Sequence, residues 1–200
     1  MSDTAISALP GAEASGLVTI REIGLHGMVT LRADLAAATA AVAQVTGAPM
    51  PDVRAITQGE GMAVAWMSPD EVLILCDPGA AEAVVARLSQ ALDGQHHLAV
   101  DVSDARAILA LSGEPGALRD VLAKITPADI AALRPGEMRR TRLQQVAAAI
   151  WFETETEARV ICFRSVARYV FDLLAVSARD SGPVGYHRGG AGAAAGVAPG

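Results

Sequence analysis

Residues 101–116 read DVSDARAILALSGEPG, and this stretch sets the pattern of the whole chain. The opening DVSD is rich in turn formers, and the apolar run at residues 105–111 predicts a strand. The Ser, Gly and Pro residues within 112–116 end that strand and begin a helix. A similar succession of strand, turn and helix occurs earlier in the chain, so the stretch lies at the junction between two related halves.

The composition predicts a globular protein with an aliphatic core. Hydrophobic residues make up 52% of the 200 residues and aromatic residues only 4%, so Ala, Val, Leu and Ile must fill the interior. The net charge of -6 and the lack of a basic stripe argue against a nucleic-acid partner. Cys76 and Cys162 lie in apolar strand-like runs and are expected to be buried free thiols.

The sequence contains no signal for a membrane. No apolar run reaches the roughly 20 residues that a membrane-spanning helix requires. The N-terminal residues carry no basic region before an apolar block, so we expect no secretory signal. We therefore expect a cytoplasmic protein without a membrane partner.

The first half is predicted to contain strands and two helices in a mixed order. Asp34 is suited to cap the first helix and Gly47 to stop it. Strands are expected at residues 17–21, 28–31, 53–57, 62–66 and 72–76, and helices at residues 35–46 and 80–92.

The second half repeats this order. Ser165 is expected to cap a long closing helix, in which apolar residues recur at helical spacing. Strands are expected at residues 107–111, 139–143, 146–152 and 159–163, and helices at residues 114–124, 127–133 and 166–179.

Two halves of common plan predict an α+β fold of duplicated half-domains, each a small sheet with packed helices. In this duplication Trp66 matches Trp151 and Cys76 matches Cys162, at an offset of roughly 85 residues. The alternative is that any two segments of an Ala-, Val- and Leu-rich chain look alike. We favour duplication because the whole order of elements is shared.

The duplicated unit is expected to be a single compact domain over residues 17–179, with halves at about 17–95 and 98–179. Residues 1–16 lack periodicity and are expected to form a disordered arm. Residues 180–200 are rich in Gly and Ala and are expected to form a disordered tail.

The sequence lacks the usual catalytic patterns. It has no Gly-x-Gly-x-x-Gly after a predicted strand, no phosphate-binding loop and no Gly-x-Ser-x-Gly elbow. His96 and His97 are neighbours on a predicted strand and point to opposite faces, so they would not share a metal. His26 lies in a Gly-flanked turn and His187 in the predicted tail. We therefore assign no catalytic, cofactor-binding or metal-binding residue.

Two groups of charged residues have alternative interpretations. Asp101 and Asp104 could hold a substrate amine or act as a base, but we favour turn capping and an ion pair with Arg106. The alternating glutamates at residues 153–157 are expected at a solvated hairpin end. The RRTR segment at residues 139–142 is too small for nucleic acid and is compatible with an acidic protein partner.

Three segments carry a resemblance to known families. DVSDARAILALSGEPGALRDVLAKITPADI at residues 101–130 resembles the start of the second half of the folate-binding fold of glycine-cleavage aminomethyltransferases. AVAWMSPDEVLIL at residues 63–75 and FRSVARYVFDLL at residues 163–174 are similar to gamma subunits of heterotetrameric sarcosine oxidases. The resemblance covers residues 17–178.

The resemblance implies a subunit of an α, β, γ, δ complex that oxidises sarcosine to glycine with oxygen, giving peroxide. With tetrahydrofolate as the one-carbon acceptor, such a complex also gives methylene-tetrahydrofolate. FAD, FMN, NAD and zinc belong to the other subunits of that family. The resemblance therefore implies that this chain binds no cofactor and serves assembly with the alpha, beta and delta subunits.

The chain departs from the aminomethyltransferase pattern at both functional places. The family's Arg-Thr-Gly-Tyr-Thr-Gly-Glu segment is replaced by FETETE at residues 152–157. Glu22 stands by register near the family's catalytic Asp, without the surrounding motif, and Asp101 belongs to the other half. The alternatives are a stand-alone folate-binding enzyme or repair protein of this fold and a small-molecule sensor.

Overall fold

The computed structural model describes residues 5–179, which form two antiparallel sheets with helices on their outer faces. Within this part of the chain the helices are α1 (Leu35–Thr46), α2 (Ala81–Ala91), α3 (Pro115–Ala123) and α4 (Ala167–Ser177). The strands are β1 (Glu13–Ser15), β2 (Thr19–Glu22), β3 (Gly27–Ala33), β4 (Ile56–Gln58), β5 (Ala63–Ser68), β6 (Glu71–Cys76), β7 (His97–Asp101), β8 (Arg106–Ser112), β9 (Met138–Leu143), β10 (Val146–Thr154) and β11 (Glu157–Phe163).

The two sheets pack face to face and bury three apolar layers. The six-stranded sheet has the order β1-β2-β8-β11-β10-β9, and the five-stranded sheet has the order β4-β5-β6-β3-β7. An inner layer between the sheets includes Met28, Leu73, Ile108 and Trp151. Outside it, α1 and α2 cover the five-stranded sheet, and α3 and α4 cover the six-stranded sheet. This arrangement confirms the α+β prediction.

The sheet orders confirm the duplication and show how the halves interlock. The order β4-β5-β6-β3-β7 is repeated as β9-β10-β11-β8-β2 in the other sheet. The strand that begins each half crosses into the opposite sheet: β2 pairs with β8, and β7 pairs with β3. Each sheet therefore contains strands from both halves.

Strand register corrects one of the two matched pairs. Cys76 and Cys162 are equivalent, because each lies at the same place in its sheet. The match of Trp66 with Trp151 is wrong by one residue: Trp66 corresponds to Phe152, since both directly precede the register shift of their hairpins. Trp151 instead packs in the inner layer. A one-residue offset exchanges the two faces of a strand, and sequence similarity alone did not detect it.

The caps of α1 agree with the prediction, whereas that of α4 does not. The Asp34 carboxylate accepts from the amides of Ala36 and Ala37, and Gly47 ends the helix at φ 70°. At α4 a 3-10 turn at Arg164–Val166 leads into the helix, and Ser165 makes no capping hydrogen bond.

The helix predicted at residues 127–133 is wrong. This segment consists of bends and turns. The Arg119 guanidinium donates hydrogen bonds to the carbonyls of Ile130 and Leu133, at 2.7 Å and 3.0 Å. These two carbonyls therefore do not depend on the amides of a helix for a hydrogen bond. The strand predicted at 53–57 is also shifted, because a turn precedes β4.

The disordered arm predicted for residues 1–16 is wrong where the structure describes it. Strand β1 pairs with β2, and Leu9 is buried in the core beneath the six-stranded sheet. The Arg164 guanidinium donates to the carbonyl of Ile6 at 2.7 Å. The tail predicted at residues 180–200, including His187, lies outside the described residues. Among residues 5–179 we find no helix with the length and hydrophobicity needed to span a bilayer.

Candidate functional site

Two clefts open where the ends of the sheets meet solvent. The first, which we call the histidine cleft, has a volume of about 320 Å³. Its walls include His26, Gln58, Leu75, Cys76 and Asp77.

The second, which we call the arginine cleft, is narrower, at about 40 Å³. Its walls include Met67 from the five-stranded sheet and Arg106, Arg140, Ile161 and Phe163 from the six-stranded sheet. It therefore lies at the border of the space between the two sheets.

The duplication relates the two clefts to each other. Gln58 pairs with Ala63 in one sheet, and Arg140 pairs with Ala149 in the other, at equivalent places. Gln58 and Arg140 therefore occupy the same position in their half-domains.

The same argument applies at the opposite wall of each cleft. Arg106 and Phe163 are the last partners of the β8–β11 ladder. His26 and Asp77 stand one position beyond the last pair of the β3–β6 ladder, which is the equivalent place. One ancestral cleft thus has an imidazole and a carboxylate in the first half and a guanidinium and a phenyl ring in the second.

The arginine cleft concentrates positive charge around one buried carboxylate. Glu71 is only 8% exposed, and its Oε2 lies 3.9 Å from Arg140 Nη1. The Arg106 guanidinium lies 5.1 Å from the centre of the Phe163 ring, and its Nε is buried without a hydrogen-bond partner. Burial lowers the pKa of Arg106, an effect that Glu71 opposes and Arg140 reinforces.

The histidine cleft has a mixed lining, in which His26, Gln58 and Asp77 stand among apolar residues, and a constricted floor. His26 Nδ1 lies 3.4 Å from the carbonyl of Gly24. A Cβ atom at Gly27 would lie 2.7 Å from the Sγ of Cys76, so only glycine fits beside the thiol. Burial is the main cause that raises the pKa of Cys76. The thiol is therefore protonated at neutral pH and is a weak nucleophile.

The acidic turn that precedes β8 has a structural role. The Asp101 carboxylate accepts from the amide of Ser103 at 2.9 Å, and Ser103 Oγ accepts from the amide of Met28 at 2.9 Å. This confirms the preference for turn capping. The expected ion pair with Arg106 is wrong, because that guanidinium turns towards Phe163.

The three glutamates at the β10–β11 hairpin each have a basic partner. Glu155 pairs with Arg119 at 2.7 Å, while Glu153 and Glu157 lie 3.9 Å and 3.7 Å from Arg159. Their positions confirm the prediction that these glutamates lie at the end of a hairpin.

Glu22 is held by the N-terminal segment. Its Oε2 accepts from Ser7 Oγ at 3.1 Å and from the amide of Gly24 at 3.0 Å, whereas Oε1 is buried without a hydrogen-bond partner. The carboxylate thus links β2 by hydrogen bonds to the N-terminal segment at Ser7 and to the turn at Gly24.

His96 and His97 line a third and larger cleft, of about 760 Å³, beside the start of α1, together with Arg32, Asp70 and Leu98. His97 Nδ1 lies 2.9 Å from the carbonyl of Gln95. Within residues 5–179 we find no group of three or more His, Cys, Asp or Glu side chains placed to hold a metal ion.

The sequence does not predict that the residues of the arginine cleft lie close together. The charged residues of this cleft come from β6, β8 and β9, which are far apart in the chain. A charged residue on the apolar face of a strand could have indicated this site. Glu71 lies on the same strand face as Leu73, and Arg140 lies on the same strand face as Met138. Nothing in the sequence shows that these faces oppose each other.

Comparison with known sequences identifies relatives. Residues 31–179 match the Sarcosine oxidase, gamma subunit family. The sarcosine oxidase subunit gamma of Corynebacterium sp. (strain P-1) is 36% identical over 62% of this chain and 60% of that protein. That of Corynebacterium sp. (strain U-96) is 32% identical over 78% of this chain and 77% of that protein. The chain thus spans less than two thirds of the length of the strain P-1 relative.

Comparison with solved structures agrees. A chain of heterotetrameric sarcosine oxidase from Corynebacterium sp. U-96 has a TM-score of 0.71 and 28% identity, over 82% of this chain and 86% of that chain. The glycine cleavage system aminomethyltransferase T from Bartonella henselae has a TM-score of 0.59 and 15% identity, over 84% of this chain and 50% of that chain, and is similar in fold. The chain belongs to the sarcosine oxidase gamma subunit family.

Proposed function

We propose that this chain is the gamma subunit of a heterotetrameric sarcosine oxidase and serves the assembly and stability of that complex without catalytic residues of its own. The observation that carries the proposal is the structural match to a chain of a solved heterotetrameric sarcosine oxidase, which extends over 86% of that chain. The exchange of β2 and β7 between the sheets joins the two halves into one unit, which is compatible with an assembly role.

In this proposal the complex contains alpha, beta and delta subunits and is cytoplasmic. It oxidises sarcosine to glycine with oxygen, and tetrahydrofolate accepts the one-carbon unit. FAD, FMN, NAD and zinc are bound by the other subunits, and this chain binds no cofactor.

The chemistry of Asp101, Glu22 and the two thiols supports a role without catalysis. Asp101 and Glu22 accept hydrogen bonds that hold the chain together. Burial raises the pKa of Cys76 and that of Cys162, the latter to about 11. These groups are engaged or protonated, so they are poorly suited to act as bases or nucleophiles.

The residues of the β10–β11 hairpin do not fit tetrahydrofolate. In the aminomethyltransferase family this place has an arginine, a tyrosine and two glycines, whereas here it has alternating glutamates and threonines. Glu155 is bound to Arg119, and Glu153 accepts from the Trp151 indole at 2.8 Å. Neither carboxylate is free to receive a pterin ring.

The test is co-expression of this chain with candidate large flavin-binding subunits of a sarcosine oxidase. We expect a stoichiometric complex with sarcosine-dependent peroxide formation, and a loss of yield or activity when this chain is omitted. The proposal would be overturned if the chain purifies alone, does not bind those subunits and binds tetrahydrofolate tightly. That result would favour a stand-alone folate-binding protein instead.

A further inference from the structure

The inner faces of the sheets carry apolar side chains that the chain leaves uncovered. Phe163 shares the inner face of Ile161, and it is 48% exposed. Leu98 and Val100 pair with Arg32 and Thr30, on the same face as Met28, and are 53% and 39% exposed. Inner-face positions of packed sheets are normally buried. Their exposure indicates a surface that this chain does not complete.

One row of paired strands connects Leu98 to the arginine cleft. Leu98, Arg32 and Glu71 are register neighbours on β7, β3 and β6. Glu71 faces Arg140 across the space between the sheets. Adjacent strands lie about 5 Å apart, so the backbone of Leu98 lies about 10 Å from the backbone of Glu71.

The arginine cleft has more positive than negative charge, although the chain as a whole is acidic. The chain has a net charge of -6, yet Arg106 and Arg140 share one carboxylate, Glu71. The nearby Arg32 is neutralised by Asp70 at 2.6 Å. One guanidinium charge in a partly buried setting therefore lacks a counterion among the described residues.

We propose that the arginine cleft and the apolar strip of Leu98, Val100 and Phe163 are the seat for a segment of a larger subunit of the oxidase. That segment places an acidic side chain against Arg106 and Arg140 and apolar side chains on the strip. The inference rests on the proposed function, because it takes the partner from the complex.

The shape of the surface favours a protein segment over a small anion. The cleft has a volume of only about 40 Å³, which suits one carboxylate group. Phe163 forms part of the wall of that cleft, whereas Leu98 and Val100 lie outside its volume, on the edge strand β7. A free anion would leave the strip uncovered, whereas a segment with an acidic anchor and apolar flanks would cover both.

The experiment measures the affinity of variants of this chain for the complex of the other subunits prepared without it. Leu98→Asp and Arg106→Glu change the proposed surface. The matched controls are Val176→Asp, which changes a side chain of equal exposure (52%) on α4, and Arg87→Glu on α2. Thermal unfolding of each isolated variant separates loss of binding from loss of folding, and Leu98 is exposed enough to be replaced without loss of core packing.

We expect the two surface variants to bind about 100-fold more weakly and the two controls to bind like the parent chain. The binding of the parent chain should also weaken as salt is raised, and that of Arg106→Glu should depend less on salt. Equal binding by folded Leu98→Asp, Val176→Asp and the parent chain overturns this inference and leaves the proposed function intact. Failure of the parent chain itself to bind overturns both.

Discussion

Arg119 and Glu155 form an ion pair of unequal burial: their Nη2 and Oε2 atoms lie 2.7 Å apart, and the two side chains are 9% and 54% exposed. The other terminal nitrogen of Arg119 donates to the carbonyls of Ile130 and Leu133. The guanidinium also lies 4.6 Å from the centre of the Phe152 ring. Arg119 therefore fixes the loop between α3 and β9 to the core, and the ion pair is the outer part of this network.

Arg119→Met should lower the free energy of unfolding by about 3 kcal/mol, because two carbonyls and one carboxylate lose a charged donor. Glu155→Gln should cost about 1 kcal/mol, since the amide oxygen still accepts a hydrogen bond and the site is half exposed. Urea unfolding of both variants measures the difference. Equal losses would show that the ion pair, and not the contacts to the loop, carries the stabilisation.

Asp34→Ala tests the start of α1. It removes the acceptor for two helical amides and should destabilise the chain by about 1 kcal/mol. Asp77→Ala is the matched control, because Asp77 precedes a 3-10 turn without a side-chain capping bond. Chemical unfolding should detect a loss only for Asp34→Ala; a loss of similar size in both variants contradicts the assignment of the cap.

Local signals predicted those elements whose ends are fixed by neighbours in sequence. The cap of α1 is an example, because Asp34 and Gly47 act on amides and dihedral angles within a few residues. Propensity predicts a helix at residues 127–133, whereas in the fold two carbonyls of this segment accept from Arg119, which belongs to a separate helix. Propensity does not report such distant partners.

The candidate site depends still more on distant partners. The sequence shows Arg140 only as part of a basic cluster, but its contact with Glu71 joins strands of different sheets. The Trp66 and Phe152 equivalence likewise follows from hydrogen-bond register, and identical tryptophans suggested the wrong match. A sequence shows which residues alternate along a strand, and only the fold shows which faces meet.

Gly27→Ala should destabilise the chain strongly, because the new methyl group would lie 2.3 Å from the carbonyl oxygen of Asp77. Backbone atoms of paired strands cannot move apart without loss of their hydrogen bonds, so we expect a cost of about 3 kcal/mol or more. Gly79→Ala is the control, since nothing lies within 4 Å of its Cβ position. Its melting temperature should be unchanged or slightly raised.

The buried thiol of Cys162 predicts a stability change in alkali. Burial raises its pKa in the folded chain from the ordinary value of 9.0 to about 11, so the unfolded chain loses this proton first as the pH rises. The stabilisation that the protonated thiol provides is complete below pH 9.0 and is lost between pH 9.0 and about 11.

Over that interval the parent chain should lose about 2 kcal/mol more unfolding free energy than Cys162→Ala. Guanidinium unfolding at several pH values measures this difference, and the subtraction removes contributions from tyrosine, lysine and Cys76, which titrate in both proteins. Parallel curves for the two proteins would mean that the thiolate is solvated in the folded chain. In that case Cys162 should also react with iodoacetamide at the rate of an exposed thiol.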